Sequence, residues 1–123
     1  MKKKLSVFLI VFLLTVGGST SALSTYTNYS VVVPKFNGTA FTGTQYKNGN
    51  GTPLDLKVTV LGKAVDARSY GSGGAGGWVR ITKLGSYSIP DPKNSKGDYS
   101  SVQFSNDLAT YVDVAVVGSF RNN

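Results

Sequence analysis

The fold is decided by one stretch of the sequence, Leu54–Arg68, which reads LDLKVTVLGKAVDAR. Apolar and polar residues alternate on both sides of Gly62 and Lys63, which is the pattern of two half-buried strands. A two-residue loop that starts with Gly is typical of a type II′ turn, so the stretch predicts a β-hairpin. Its register places Val60 opposite Val65. Five side chains then share one apolar face: Leu56, Val58, Val60, Val65 and Ala67.

Further alternating runs lie on either side of this stretch, separated by Gly, Asn, Asp and Pro, and none shows the spacing of a helix. The run Val112–Phe120 is long and rich in β-branched residues, which predicts a central strand. Pro34 lies just after a short run that begins at Tyr29, which predicts an edge strand. We therefore predict an all-β fold, a single antiparallel β-sandwich of about seven to eight short strands. The remaining predicted strands are Thr39–Lys47, Gly77–Lys83, Ser86–Ile89 and Tyr99–Phe104.

The first residues have the three-part layout of a secretory signal peptide. A basic start, Met1–Lys4, precedes an apolar run over residues 5–16 and a group of small residues over 17–22. The apolar run has 12 residues, whereas a membrane-spanning helix needs about 20, which argues against a retained anchor. We place cleavage near Ala22, although cleavage after Ser24 fits nearly as well. Residues 1–22 are thus the predicted signal peptide, and residues 23–123 the secreted β-sandwich domain.

The composition limits the chemistry that the protein could perform. The sequence contains no Cys, no His and no Glu, so its core forms without disulfides and a catalytic site would need Asp, Lys, Tyr, Ser or Thr. No Ser-x-x-Lys motif follows residue 22, and the Asp residues fall in turns or on the solvent side of the predicted strands. We therefore predict that the protein is not an enzyme and has no catalytic residue, no cofactor and no metal site.

The charge of the mature chain indicates its class of partner. Three of the 13 basic residues lie in the predicted signal peptide, so ten remain against six Asp and the net charge is +4. A moderate positive charge favours an anionic cell-wall polymer, a glycan or a lipid surface. It falls well short of the charge of a nucleic-acid-binding domain, so we expect no nucleic acid partner. Export without cysteine is typical of Gram-positive bacteria, which we take as the expected source.

Two loops contain residues that have a second interpretation. Gly71–Gly76 formally fits G-x-G-x-x-G, but a strand-like run follows it where a dinucleotide site requires a helix, so we interpret it as a strand connection. Asp91, Asn94 and Asp98 carry oxygen atoms that calcium accepts, but their spacing does not match a calcium-binding loop. We interpret these three as solvated turn residues.

The predicted binding surface centres on Trp78, the only tryptophan. If Val79 and Ile81 point into the core, then Trp78, Arg80 and Thr82 point outward together. An exposed Trp beside a cation stacks on a sugar ring or lies at a membrane interface. The alternative is that Trp78 caps the edge of the core while Arg80 stacks on its ring. We predict Trp78, Arg80 and Thr82 as a ligand surface.

Two functions remain open at this point. The first is a secreted non-enzymatic binding or structural module that acts at the bacterial cell envelope or outside the cell. The alternative is a bacteriocin-like or membrane-active antimicrobial protein, which small size, export, positive charge and the seven Tyr favour.

Three segments carry a resemblance to known proteins: Val31–Lys35, Phe104–Asp107 and Val117–Phe120. Together with the signal peptide and the lack of Cys, their layout resembles a family of small secreted Gram-positive proteins of unassigned function. The resemblance implies an exported β domain and no catalytic or binding residues. The layout is also similar to that of the lactococcin-972-type bacteriocins, which are small exported β-sandwiches, but their motifs do not match this sequence residue by residue.

Overall fold

The structure, a computed structural model, describes residues 25–123. The predicted signal peptide and its cleavage near Ala22 lie outside the described residues. Residues 25–123 contain no helix, and so none of the length and apolar character that crossing a membrane requires. They form ten strands: β1 (Thr27–Val33), β2 (Thr39–Phe41), β3 (Gln45–Tyr46), β4 (Leu54–Leu61), β5 (Val65–Gly71), β6 (Gly74–Ala75), β7 (Val79–Ile81), β8 (Gly85–Ile89), β9 (Tyr99–Ser105) and β10 (Val114–Asn122).

The strands form two antiparallel sheets that pack on each other, and the predicted β-sandwich is confirmed. The four-stranded sheet has the order β1-β10-β4-β8, and the six-stranded sheet the order β2-β9-β5-β6, with β3 also paired to β9 and β7 to β5. β10 lies between two strands and β1 lies at an edge, as predicted. There are more strands than predicted for two reasons. The predicted strand Thr39–Lys47 divides into β2 and β3, and the two-residue strand β6 was not predicted. Val112 precedes β10 and is 40% exposed.

One apolar core fills the space between the sheets. Strict alternation along the strands turns every second side chain inward, and full burial of a Val, Leu or Phe side chain contributes about 1.5–3 kcal/mol. The ring of Tyr29 lies 5.4 Å from that of Phe104, and its hydroxyl donates a hydrogen bond of 2.9 Å to the carbonyl of Lys57. The other buried core side chains are Val33, Leu54, Leu56, Val58, Val65, Ala67, Ile81, Ile89, Val102, Val114, Val116 and Phe120.

The predicted hairpin over Leu54–Arg68 is wrong, because its two strands belong to different sheets. β4 pairs with β10 and β8, whereas β5 pairs with β9, β6 and β7. The amide of Gly62 still donates a hydrogen bond of 3.0 Å to the carbonyl of Ala115 in β10. The chain then crosses at Lys63 to the opposite sheet. The alternation of apolar residues is the same for a hairpin and for this crossing, since both sheets bury their inner faces in one core.

Val60, which the hairpin register placed in the core, is 48% exposed. The cause is a β-bulge: Val60 pairs with Val117 and Val58 pairs with Gly118, so Thr59 is an extra residue in β4. A bulge of one residue reverses which side chains face the core beyond it. The prediction of a core position therefore holds for Val58, which is 2% exposed, and fails for Val60, which lies just beyond the bulge.

Candidate functional site

The candidate site lies on the outer, solvent-facing side of the six-stranded sheet. β7 pairs with β5 and turns Val79 and Ile81 toward the core. Trp78, Arg80 and Thr82 are exposed on the other side, in the orientation predicted from the sequence. Whether these three residues bind a ligand stays a prediction.

A neighbouring cation lies over the ring of Trp78. The guanidinium carbon of Arg68 in β5 lies 4.3 Å from the centre of the Trp78 ring. The Nε of the same guanidinium donates a hydrogen bond of 2.7 Å to Oε1 of Gln103 in β9. The cation that stacks on Trp78 is therefore Arg68, and not Arg80 as the alternative in the sequence analysis had it. Since Trp78 remains 46% exposed, one part of the indole stays open to solvent.

Arg80 is occupied by two carboxylates. Its Nη1 lies 2.6 Å from Oδ1 of Asp107 and 3.4 Å from Oδ1 of Asp66, and its Nη2 lies 2.8 Å from Oδ2 of Asp107. The hydrogen bonds that Arg80 donates to Asp107 lower the pKa of the Asp107 carboxyl and raise the pKa of the guanidinium. Arg80 thus anchors β7 to the loop after β9, and its charge is largely compensated.

Four further aromatic side chains share this outer face with Trp78. They lie on β2, β3, β5 and β9, and like Trp78 they are between 45% and 56% exposed. We call this set the aromatic face: Phe41, Tyr46, Tyr70, Trp78 and Tyr99. The sequence analysis singled out only Trp78. Alternation along β5 places Tyr70 on the same side as Arg68, so the sequence could have predicted that Tyr70 is exposed on this face. The positions of Phe41, Tyr46 and Tyr99 depend on which strands become neighbours, which the sequence does not show.

The rings of the aromatic face form two pairs along β9. Phe41 and Tyr70 lie two strands apart and meet edge to face over β9, with ring centres 5.3 Å apart. Tyr46 and Tyr99 are cross-strand partners with ring centres 5.9 Å apart, also edge to face. Tyr70 is the register partner of Ser101, two residues along β9 from Tyr99, and two residues of a strand rise about 6.8 Å. Such pairs add about 0.5–1.5 kcal/mol each and restrict the rotation of the rings.

A polar row crosses the sheet among these rings. Phe41 is the register partner of Gln103, which in turn is the partner of Arg68, and Arg68 contacts Trp78. With strands about 4.8 Å apart, the row from Phe41 to Trp78 spans about 14 Å. Flat apolar rings at both ends, with an amide and a guanidinium between them, suit a ligand that has apolar ring faces and hydroxyl or anionic substituents.

The loop between β8 and β9 has a different role from the one predicted. Asp91 and Asn94 are buried, so their interpretation as solvated turn residues is wrong. Asp91 forms an ion pair of 2.9 Å with the buried Lys47, and the Asn94 amide donates a hydrogen bond of 2.6 Å to Asp91. Asp98 accepts a hydrogen bond from the amide of Ser95. Within residues 25–123 no cluster of three metal-ligating side chains occurs.

The glycine-rich segment is a close-packed strand connection. Gly71 and Gly74 are paired at the turn between β5 and β6. A Cβ on Gly73 would lie 2.1 Å from the carbonyl oxygen of Lys93, and its amide donates a hydrogen bond of 2.7 Å to the side chain of Asn94. The strand β7 follows, and not a helix, in agreement with the interpretation from the sequence.

A second exposed surface lies at the end of the sandwich next to Asp107. We call it the apolar end: Phe36, Leu108, Tyr111 and Val112, of which Leu108 and Tyr111 are 75% exposed. The amide of Phe36 donates a hydrogen bond of 2.8 Å to the carbonyl of Thr110, which joins the loop after β1 to the loop before β10. Phe36 has a φ of 58°, a conformation that is costly for a bulky residue.

Comparison with known proteins identifies no family for this chain. No known protein family matches the sequence, and no curated protein matches it significantly. Among solved structures, one described as the crystal structure of PirA is similar, with a TM-score of 0.47 and 11% sequence identity, covering 78% of this chain and 93% of that chain. A similarity of this size carries no argument about function.

Proposed function

We propose that the protein is exported and binds an extracellular glycan, an anionic cell-wall polymer in particular, through the aromatic face. It acts as a binding module without catalytic activity. The observation that carries this proposal is the presence of five half-exposed rings on the outer face of one sheet. A sheet face that had only to be soluble would carry polar side chains at these positions.

The rings are held in place before a ligand arrives. The two edge-to-face pairs and the Arg68 guanidinium over Trp78 limit the rotamers that the aromatic side chains adopt. Binding to side chains that are already ordered avoids about 0.5–1.5 kcal/mol of entropy cost for each. A sugar ring that covers the open part of a ring gains about 25 cal/mol for each Å² of apolar surface removed from water.

Charge favours an anionic glycan over a neutral one. Arg68 lies in the centre of the polar row, and the predicted mature chain has a net charge of +4. Arg80, by contrast, is compensated by Asp107 and Asp66, so its contribution is to position β7 beside Trp78. The absence of His, Cys and Glu from the sequence leaves few groups for proton transfer, which supports a binding role.

The test is co-sedimentation of the protein with purified Gram-positive cell walls, before and after removal of teichoic acid. We expect the protein to sediment with the walls, and Trp78→Ala and Tyr70→Ala each to weaken binding about tenfold, the equivalent of about 1.4 kcal/mol. Tyr111→Ala is the matched control, because it removes an exposed ring that lies outside the aromatic face. Equal binding by all four proteins would refute the assignment of the face.

A second candidate function is action on anionic membranes, and the apolar end is the observation that favours it. Phe36, Leu108 and Tyr111 are exposed on two loops that the hydrogen bond from Phe36 to Thr110 joins, and the Nζ of Lys35 lies 5.7 Å from the centre of the Phe36 ring. Apolar and aromatic side chains beside a cation are suited to the interface of a lipid bilayer.

The two candidates predict opposite results from the same variants. Membrane action predicts dye release from vesicles that contain anionic lipid, with the release lost in Tyr111→Ala and kept in Trp78→Ala. Glycan binding predicts the reverse pattern in the wall assay. Intact vesicles at micromolar protein would remove the membrane candidate.

A further inference from the structure

Lys47 is among the largest fully buried side chains of residues 25–123, and the interior is an unusual place for a lysine. It follows β3, and its Nζ lies 2.9 Å from Oδ2 of Asp91, a carboxylate with no exposed side-chain surface. The Nζ also donates a hydrogen bond to the carbonyl of Thr52. A buried ion pair adds little stability compared with an apolar pair of similar volume, so its presence calls for another explanation.

A carboxamide completes the cluster. Oδ1 of Asn122, at the end of β10, lies 3.4 Å from Nζ of Lys47, and Asn122 is fully buried as well. The side-chain nitrogen Nδ2 of Asn122 donates a hydrogen bond of 2.8 Å to the backbone carbonyl of Gln45, which fixes the orientation of the carboxamide. An amine, a carboxylate and a carboxamide thus lie together where water does not reach.

The carboxylate of Asp91 is held on both oxygens. Oδ1 accepts a hydrogen bond of 2.6 Å from the side-chain Nδ2 of Asn94, and Oδ2 accepts one of 3.0 Å from the hydroxyl of Ser100. Both donors are buried. Asp91 is therefore fixed beside the Lys47 amine, in a position to take a proton from it.

We propose that Lys47 and Asn122 join in an intramolecular isopeptide bond, with Asp91 carrying the protons. The Lys47 ammonium transfers a proton to the Asp91 carboxylate, and the neutral amine attacks Cγ of Asn122 to form a tetrahedral intermediate. Asp91 protonates the departing nitrogen, the Cγ–Nδ2 bond breaks and ammonia leaves. The proton on the new amide nitrogen is lost to Asp91 and then to ammonia. The products are one secondary amide and one ammonium ion, and no oxidant or cofactor takes part.

Asn122 is the acceptor and Asp91 the proton carrier for a chemical reason. Attack on the Asp91 carboxyl would expel an oxygen, which needs a second acid to protonate it. Within residues 25–123, Lys47 forms its ion pair with Asp91, and the full sequence contains no Glu that could serve as this second acid. With Asn122 as the acceptor, each of the three buried groups has a role.

The bond would connect the two sheets of a protein that has no disulfides. Lys47 directly follows β3 of the six-stranded sheet, Asn122 ends β10 of the four-stranded sheet, and the two residues are 75 positions apart in the sequence. A covalent link across so long a loop restricts the unfolded chain in the way a disulfide does. It also survives in a reducing or an oxidising environment alike.

The test is the intact mass of the purified full-chain protein, in whichever N-terminal form it is recovered. We expect a mass about 17 Da below that of its sequence, the mass of one ammonia. Trypsin should then fail to cut after Lys47 and should yield the peptide 36–57 with Asn122 and Asn123 attached. This measurement uses the wild-type protein and does not depend on the folding of a variant.

Variants locate the chemistry. Asp91→Asn leaves both reacting groups in place but removes the proton carrier, so the full sequence mass should return. Asn123→Ala is the matched control, since it changes the adjacent asparagine and should keep the loss of about 17 Da.

Three results would overturn the proposal. One is an unmodified wild-type mass. Another is a loss of about 17 Da without a branched peptide, as a succinimide at an Asn-Gly step would give. The third is a loss of about 18 Da with Lys47 joined to Asp91, because the acceptor would then be the carboxyl.

Discussion

Arg68 positions the ring of Trp78, and a double-mutant cycle on this pair measures how strongly. Arg68→Met keeps most of the aliphatic stem but removes the guanidinium, which lies 4.3 Å from the ring centre. A cation over a half-exposed ring contributes about 0.5–1 kcal/mol. The same change leaves Oε1 of Gln103, whose side chain is largely buried, without its 2.7 Å hydrogen bond, which costs about 1–3 kcal/mol. We expect Arg68→Met to lower the free energy of unfolding by about 1.5–4 kcal/mol.

The assay is chemical denaturation followed by circular dichroism for the wild type, Arg68→Met, Trp78→Leu and the double variant. The Gln103 contribution is lost in both proteins that lack Arg68, so it cancels and the coupling energy reports the Arg68–Trp78 contact alone. We expect a coupling of about 0.5–1 kcal/mol. In a domain of about 100 residues, Arg68→Met should lower the melting temperature by roughly 7–20 °C. A coupling below about 0.2 kcal/mol would refute the claim that Arg68 fixes the ring.

Three further predictions concern the sheet contacts and one carboxyl group. Gly118→Ala should cost about 3 kcal/mol or more in thermal denaturation, because a Cβ there would lie 1.9 Å from a backbone oxygen of β4. Val58→Ala should cost about 2 kcal/mol and Val60→Ala less than about 0.5 kcal/mol; equal losses would contradict the bulge. The Asp107 carboxyl, followed by NMR, should titrate below its usual pKa of 3.8 because Arg80 donates hydrogen bonds to it. The stabilisation from that pair is present above the unfolded-state pKa and is lost as the pH falls through the folded-state pKa, and Arg80→Gln should raise the pKa.

The sequence was sufficient for the direction of most strand side chains, with Val60 beyond the bulge as an exception, but not for the partners of the strands. Alternation correctly placed Val58 and Val65 in the core and Trp78 outside, since the two-residue period depends only on the local backbone. The step from β4 to β5 at Gly62 fits a hairpin and a crossing between sheets equally well. The choice is made by β10, more than 50 residues further along, whose Ala115 accepts the Gly62 hydrogen bond.

The candidate site was predictable only in part for the same reason. The orientation of Trp78, Arg80 and Thr82 followed from β7 alone. The face around them required β2, β9 and β5 to become neighbours, which brings Phe41 within 5.3 Å of Tyr70.

The burial of Lys47 could not be read from the sequence. A lysine next to Tyr46 in a turn-rich segment has the pattern of a solvated residue. Its ion-pair partner, Asp91, lies in a distant loop and is itself of a type that favours turns. Only the packing of that loop against the end of β3 removes both charges from water together.

The central claim, that the aromatic face binds an extracellular glycan, is tested most directly by an NMR titration with a soluble cell-wall glycan fragment. The account predicts chemical-shift changes for the side chains of Phe41, Tyr70, Trp78 and Tyr99 and for the Arg68 Nε–H, on one outer surface of the sandwich. Changes confined to the apolar end around Tyr111, or no changes at millimolar glycan, would contradict it.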